Sequence, residues 1–161
     1  MIRIELCRLP EVDPADLIAL MTHPLVRRHM PLTRDGFDQS ACAAFVADKE
    51  AIWAERGFGP CGIVVDGAFA GWGGLQPEAG DVELALVLHP DHWGVGRRVT
   101  GLLLERAFGA LGLESVTALI PPSRTRLSAL RRLGFERDGE VEVDGEHFLR
   151  FRLHAPGPGP R

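Results

Sequence analysis

No tyrosine occurs anywhere in the chain, lysine occurs once, at Lys49, and cysteine three times, at Cys7, Cys42 and Cys61. The cysteines are odd in number, scattered and without CxxC spacing, which excludes a disulfide framework and a cysteine-based zinc site; they read as small buried apolar residues of a reducing compartment. His89 and His92 lie close in sequence, yet nothing around them continues a ligand spacing, so no metal site is expected. No apolar run approaches the ~20 residues that cross a bilayer. The opening "MIRIELCRLP" has no apolar leader core, so the expectation is a cytoplasmic protein with no membrane partner. A formal net charge of −4 gives no global electrostatic case for nucleic acid.

What remains is enough for one core: 161 residues, 45% hydrophobic, with no interdomain linker and no internal repeat. The domain is expected over residues 1–154. The Pro- and Gly-dense end, 155–161, is expected to be a disordered tail. Ile2 to Leu9 alternates like a first strand. In "DPADLIALM" Asp13 suits an N-cap, Pro14 suits a first turn, and Leu17, Ile18 and Met21 share a face. "HPLVRRHMPLTRDG", broken by two prolines, reads as a short helix and a loop. Asp38 or Ser40 then caps a helix with Cys42, Phe45, Val46 and Trp53 inward, which Gly57 ends.

"PCGIVVDGAFAGWGGLQ" is a hairpin turning at Asp66-Gly67. Gly71, Gly73 and Gly74 in its second strand indicate a bulge or a close neighbour. After a turn at "EAGD", a third run extends from Val82 to His89. An amphipathic helix follows with Val99, Leu102, Leu103, Ala107 and Leu111 on one face, stopped by Gly112; "ESVTALI" is the next strand, which makes a parallel crossover. "SRTRLSALRRLGF" reads as a helix with Ser123 as a candidate cap and Leu127, Leu130 and Leu133 inward. A last hairpin turns at Asp144-Gly145. Mixed strands and helices around a partly parallel sheet make the class α+β.

The stretch that carries chemistry is "LHPDHWGVGRRV". Gly94 and Gly96 stand where a strand gives way to a helix. The first helical turn has N–H groups without internal partners, the helix dipole makes that end positive, and glycine lets backbone approach an anion closely. Arg97 and Arg98 can add charge-assisted bonds of about 1.5–3 kcal/mol each. The site suits a phosphate, or else is only a tight strand–helix connection with solvated arginines. A P-loop is excluded because no Lys-Ser or Lys-Thr follows, and the dinucleotide fingerprint fails at Val99. Trp72 and Trp93 read as core aromatics, and Cys61 as packing.

Trp93-Gly94-Val95-Gly96-Arg97-Arg98, with "HPDH" before it and an amphipathic helix after it, resembles the pyrophosphate-binding turn of the GNAT N-acetyltransferase superfamily. The resemblance is greatest to the RimJ/RimL-type branch, which acetylates ribosomal-protein N-termini. "FAGWGGL", "VELALVLHPDHWGVG" and "ALRRLGF" fall in the same order. The resemblance implies one domain with a V-shaped splay between its central parallel strands, acetyl-CoA as cosubstrate, and direct attack by a primary amine in a ternary complex. The amine would belong to a peptide or a small molecule.

It further implies that the pantetheine lies along Leu86 and Leu88, the pyrophosphate on Trp93, Gly94, Val95, Gly96, Arg97 and Arg98, and that Glu83 is the general base; the other reading of Glu83 is a solvent-facing strand residue. Where relatives carry an Asn and a proton-donating Tyr, this chain has Ser123 and Leu130, so the acid falls to Ser123, Ser128 or water. The acceptor would enter between residues 23–40 and the 143–147 hairpin, past Arg27, Arg28, Arg34, Asp35 and Asp38. Exposed edge strands admit a homodimer. The competing readings are an inactive acyl-CoA-binding module and an unrelated nucleotide-binding module.

Overall fold

The computed structural model describes residues 1–31, 36–125 and 127–157. Seven strands form one sheet in the order β1-β2-β3-β4-β5-β7-β6. They are β1 (Ile4–Cys7), β2 (Pro60–Val65), β3 (Ala68–Glu78), β4 (Asp81–Leu88), β5 (Ser115–Ile120), β6 (Glu136–Val143) and β7 (Glu146–His154). The helices are α1 (Pro14–Thr22), α2 (Pro24–Arg27), α3 (Gln39–Arg56), α4 (Gly96–Phe108) and α5 (Ser128–Arg132). Every strand pair is antiparallel except β4 with β5. The class is α+β, as the sequence predicts.

Three hairpins close on two-residue turns with both central residues left-handed: Asp66-Gly67, Ala79-Gly80 and Asp144-Gly145. That is the turn whose twist matches antiparallel strands. Asp13 and Asp38 cap α1 and α3, accepting from Ala15 and Ala41 N–H at 2.9 and 2.8 Å. Gly57 ends α3 at φ 76°. In β3 the glycines answer a close approach. A Cβ at Gly71 would fall on the Val87 carbonyl, and one at Gly74 would come within 2.6 Å of Gly59 O.

Two cores flank the sheet. On one face Val95, Val99, Leu103 and Ala107 of the α4 row pack on Leu84, Leu88, Val116 and Ala118. On the other, Leu17, Leu20, Met21 and Cys42 of α1 and α3 pack on Trp72, with Ala85 and Val87 against them. The even and odd residues of β4 therefore serve opposite faces.

Several expectations change. The first strand is only Ile4–Cys7, because Leu9–Glu11 turns into a 3-10 helix. Leu102 is exposed, one position off the 99/103/107 row, and α4 ends at Phe108, before Gly112. α5 starts at Ser128 with Leu127 as N-cap, so Ser123 caps nothing there. Of the tail, 158–161 lie outside the described residues; Ala155 N–H donates to Glu114 O at 2.8 Å. Among the described residues no helix is long and apolar enough to cross a membrane.

Candidate active site

β4 and β5 are matched at one residue pair, Glu83 with Thr117. Beyond it β4 continues to Leu88, held by β3 along its whole length, and β5 continues to Ile120, held by β7. No ladder pair joins the two strands there, so the sheet opens as a V with its apex at Glu83. His89 N–H donates to Ala70 O of β3 at 2.8 Å. Backbone groups alternate sides along a strand, so Ala85 and Val87 also turn toward β3. Leu84, Leu86 and Leu88 turn toward β5. Past the apex, Leu86 and Leu88 thus present their backbone to the gap.

The closed end is riveted. Arg152 of β7 donates to Asp81 through both terminal nitrogens at 2.8 and 3.0 Å, to Ser115 Oγ at 2.8 Å, and to Asp138 Oδ2 at 2.8 Å. One guanidinium joins β4, β5, β6 and β7, and its hydrogen bonds hold the Asp81 carboxyl below the usual range.

At the open end, Pro90–Val95 forms a 3-10 turn into α4. His89 Nδ1 accepts from Asp91 N–H at 3.1 Å, with the His23 ring edge-on at 5.0 Å. Val95 is buried and anchors the turn, whereas Gly94 is exposed. Trp93 is 54% exposed and not the core aromatic the sequence suggests; its indole N–H turns back to donate to Leu88 O at 2.9 Å. One of the two carbonyls expected to serve the pantetheine therefore already has a donor.

No side chain caps α4. A Cβ on Gly94 meets nothing within 4 Å, and one on Gly96 meets only Leu88 Cδ1 at 3.6 Å. Neither has a positive φ. Neither strain nor packing requires these glycines, and they leave the helix N-terminus open to the close approach of an anion. The residues present fit a pyrophosphate. Arg97 is exposed; Arg98 donates through Nη1 to Ile2 O at 3.3 Å, which draws it toward the start of the chain.

Glu83 faces the α1–α3 side. Burial pushes its carboxyl up, opposed by the Gln76 hydrogen bond (Nε2 to Oε2, 3.1 Å), with Glu78 adding to the rise and Lys49 opposing it. It is a half-buried carboxylate in a polar cluster, not a solvent-facing strand residue. Lys49 of α3 donates to Gln76 Oε1 at 2.7 Å. Ser123 is exposed on the loop after β5, at the open end of the V, with its Oγ 3.1 Å from His29 Nδ1. Ser128 is the exposed first residue of α5. Desolvation lowers the His29 pKa, helped by Arg28 and Arg124. Cys61 is inert, its buried thiol pushed up to about 11.

Sequence reasoning missed Lys49, Gln76 and His29. Only Lys49 left a signal, as a lone cation in the inward row Cys42, Phe45, Lys49, Trp53. Among the described residues no cluster of His, Cys, Asp and Glu could hold a metal ion.

The model of the acetyltransferase (GNAT) domain matches residues 3–136. The chain belongs to this family. It is an acetyltransferase domain, and acetyl-CoA is its cosubstrate. Solved structures agree on the fold. An acetyltransferase from Agrobacterium tumefaciens str. C58 is 22% identical over 94% of this chain and 91% of that one, at a TM-score of 0.75. Mycobacterium smegmatis RimJ, in complex with CoA-disulfide, is 20% identical over 96% and 82%, at 0.74. The aminoglycoside acetyltransferase AAC(6')-Ib, in complex with coenzyme A, is 14% identical over 96% and 95%, at 0.71.

Proposed function

We propose that this GNAT domain acetylates a primary amine, of a peptide N-terminus or of a small molecule, by direct attack in a ternary complex. The observation that carries the reading is the V itself, with a carboxylate at its apex and a helix N-terminus without a side-chain cap at its mouth. Acetyl-CoA supplies the activated acyl thioester. The N–H groups that the Gly94–Arg98 turn leaves free, that of Gly96 being given to Trp93 O, hold the pyrophosphate. The Leu86 backbone holds the pantetheine amides, a strand-like pairing in the place of the missing ladder.

Glu83 accepts a proton from the acceptor ammonium. Its raised pKa brings it nearer the working pH than a free carboxylate, and such help is worth about 10²–10⁴-fold. The leaving thiolate, with a pKa of about 8.5, takes a proton through the Ser123 hydroxyl, which regains one from solvent by way of its neighbour His29; Ser128 has no comparable partner among the hydrogen bonds described. The acceptor enters from the face of α1–α3. There Arg27 and Arg28 are exposed at the end of α2, Asp38 is committed to capping α3, and Arg34 and Asp35 lie outside the described residues. The aminoglycoside acetyltransferase and a spermidine N-acetyltransferase share the fold and are named for different amines, so an amine panel spanning peptides, polyamines and amino sugars is the appropriate set. The free thiols suit the reducing cytoplasm.

Calorimetric titration of acetyl-CoA should give micromolar binding that Gly96→Trp loses. On a productive amine, Glu83→Gln should keep the binding and lose about 10²–10⁴-fold in kcat/KM. Binding undisturbed by Gly96→Trp would move the cosubstrate off the turn. An unchanged rate in Glu83→Gln would remove the base.

A further inference from the structure

The only lysine of the chain, Lys49, is half-buried on the inward row of α3. Its Nζ lies 5.2 Å from the Phe45 ring centroid and 5.3 Å from that of Trp72, and it donates to Gln76 Oε1 at 2.7 Å. Gln76 sits on β3 directly across from Glu83 on β4, and its Nε2 donates to Glu83 Oε2 at 3.1 Å. An ammonium has three donors and no acceptor. The end of the Gln76 amide that meets Lys49 must therefore be the oxygen, and the NH₂ is left facing the carboxyl.

From this geometry we infer that Lys49 is a positioning residue: it locks the Gln76 amide in one of its two orientations, so that a donor, not an acceptor, faces Glu83 and favours the carboxylate that takes the proton. The flipped amide would put NH₂ against the ammonium and C=O against the carboxyl, an arrangement that suits protonated Glu83. Lys49 forbids it. The influence of the cation reaches Glu83 through one amide, and the aromatic faces of Phe45 and Trp72 hold the charge in place. Glu78 on the same face of β3 and Asp48 on α3 are the other charges that act on this cluster. Asp81, two residues back on β4, is tied to Arg152. Thr117 opposite on β5 is neutral. The inference rests on Glu83 as base for its kinetic consequence only; the amide lock itself is a property of the free protein.

The test is a carboxyl ¹³C titration of Glu83 in the full chain without cosubstrate, the signal assigned by its loss in Glu83→Gln. Lys49→Met should raise the Glu83 midpoint by about one unit, since a nearby opposite charge is lost and the Gln76 amide is freed to turn its oxygen to the protonated carboxyl. Lys49→Arg, which still only donates, should return it to within about 0.3 unit of the wild type. Gln76→Leu, which keeps the cation and removes the amide, should raise it as well, and it carries the test should Lys49→Met fail to fold. A midpoint unmoved in a folded Lys49→Met, or in Gln76→Leu, overturns the inference and leaves Lys49 as packing between α3 and β3. With a productive amine, the acid limb of kcat/KM should move in step with the midpoint. A midpoint that moves while the limb stays supports the amide lock and removes Glu83 as base, so the two failures are distinct.

Discussion

Replacing Gly94 by alanine separates stability from ligand binding. The added methyl meets no atom within 4 Å and the residue has no positive φ. Alanine therefore fits the folded backbone unstrained while narrowing the unfolded ensemble, an effect of about 0.4–1 kcal/mol in favour of folding. For a domain of this size that is a rise in Tm of about 1–4 °C. The same methyl stands where an anion would approach the turn. Displacing a phosphate oxygen from one well-formed charge-assisted bond loses about 1.5–3 kcal/mol, which is about a 10- to 150-fold increase in Kd. Gly94→Ala should thus melt at or above the wild-type temperature and bind acetyl-CoA at least about tenfold more weakly. Differential scanning calorimetry and isothermal titration on the same preparation read both quantities. Wild-type affinity in a protein of wild-type stability would refute the assignment of the bare turn to phosphate. A fall in Tm would refute the premise that nothing in the fold requires this glycine.

Gly71→Ala should behave in the opposite way, because its methyl would strike the Val87 carbonyl; a loss of about 2–4 kcal/mol in urea unfolding is expected. Arg152→Lys cannot reproduce the paired bonds to Asp81 and should cost about 1–3 kcal/mol near neutral pH. The Asp81 carboxyl is depressed in the folded state, so its contribution is present above the unfolded pKa and lost as pH falls through the folded one. The gap between wild type and Arg152→Lys should then close in acid unfolding titrations. Glu83 is shifted the other way. Its ionisation opposes folding, stability from this group is lost as pH rises through its folded value, and the acid limb of kcat/KM should lie above the ~4.3 of a free glutamate. In hydrogen exchange, the Leu86 amide, turned into the gap, should exchange faster than Ala85 and Val87 and gain protection when acetyl-CoA is added; equal rates beforehand would contradict the splay.

How much of this was legible in the sequence depended on how local each feature is. The hairpins at Asp66-Gly67 and Asp144-Gly145, the caps at Asp13 and Asp38 and the stop at Gly57 are set by residues a few positions apart, and they stand where the sequence places them. Leu102 reads as inward because a helical row tolerates one more apolar residue at its margin than the core can cover. Ser123 looked like a cap because a serine before an apolar row usually is one, whereas the chain spends Arg124 and Thr125 in a loop and starts α5 later. Trp93 reads as core on residue type alone, yet its indole has a polar end that finds Leu88 O. The polar cluster is of another kind. Lys49, Gln76 and Glu83 are brought together by the packing of α3 on β3 and the register of β3 against β4, and His29 meets Ser123 across 94 residues. No periodicity encodes such pairs.

The splay belongs to the protein before any ligand arrives, and the distribution of hydrogen bonds shows why. β3 pairs with β4 from Glu78 back to Gly71, and β7 pairs with β5 from Ser115 to Ile120. Each half of the sheet is therefore complete on its outer side and free to diverge on its inner side. Arg152 binds the two halves together at the Asp81 end only. At the other end Trp93 supplies Leu88 O with a donor from its own half, which removes one incentive for β5 to close the gap. An unpaired strand edge costs free energy in a buried sheet. A fold that pins one end of two strands and separately satisfies part of the other keeps that edge available. The same pin fixes Glu83 at the apex, next to the gap it would serve, so the groups proposed to bind the cosubstrate and to take the proton are positioned by one rivet.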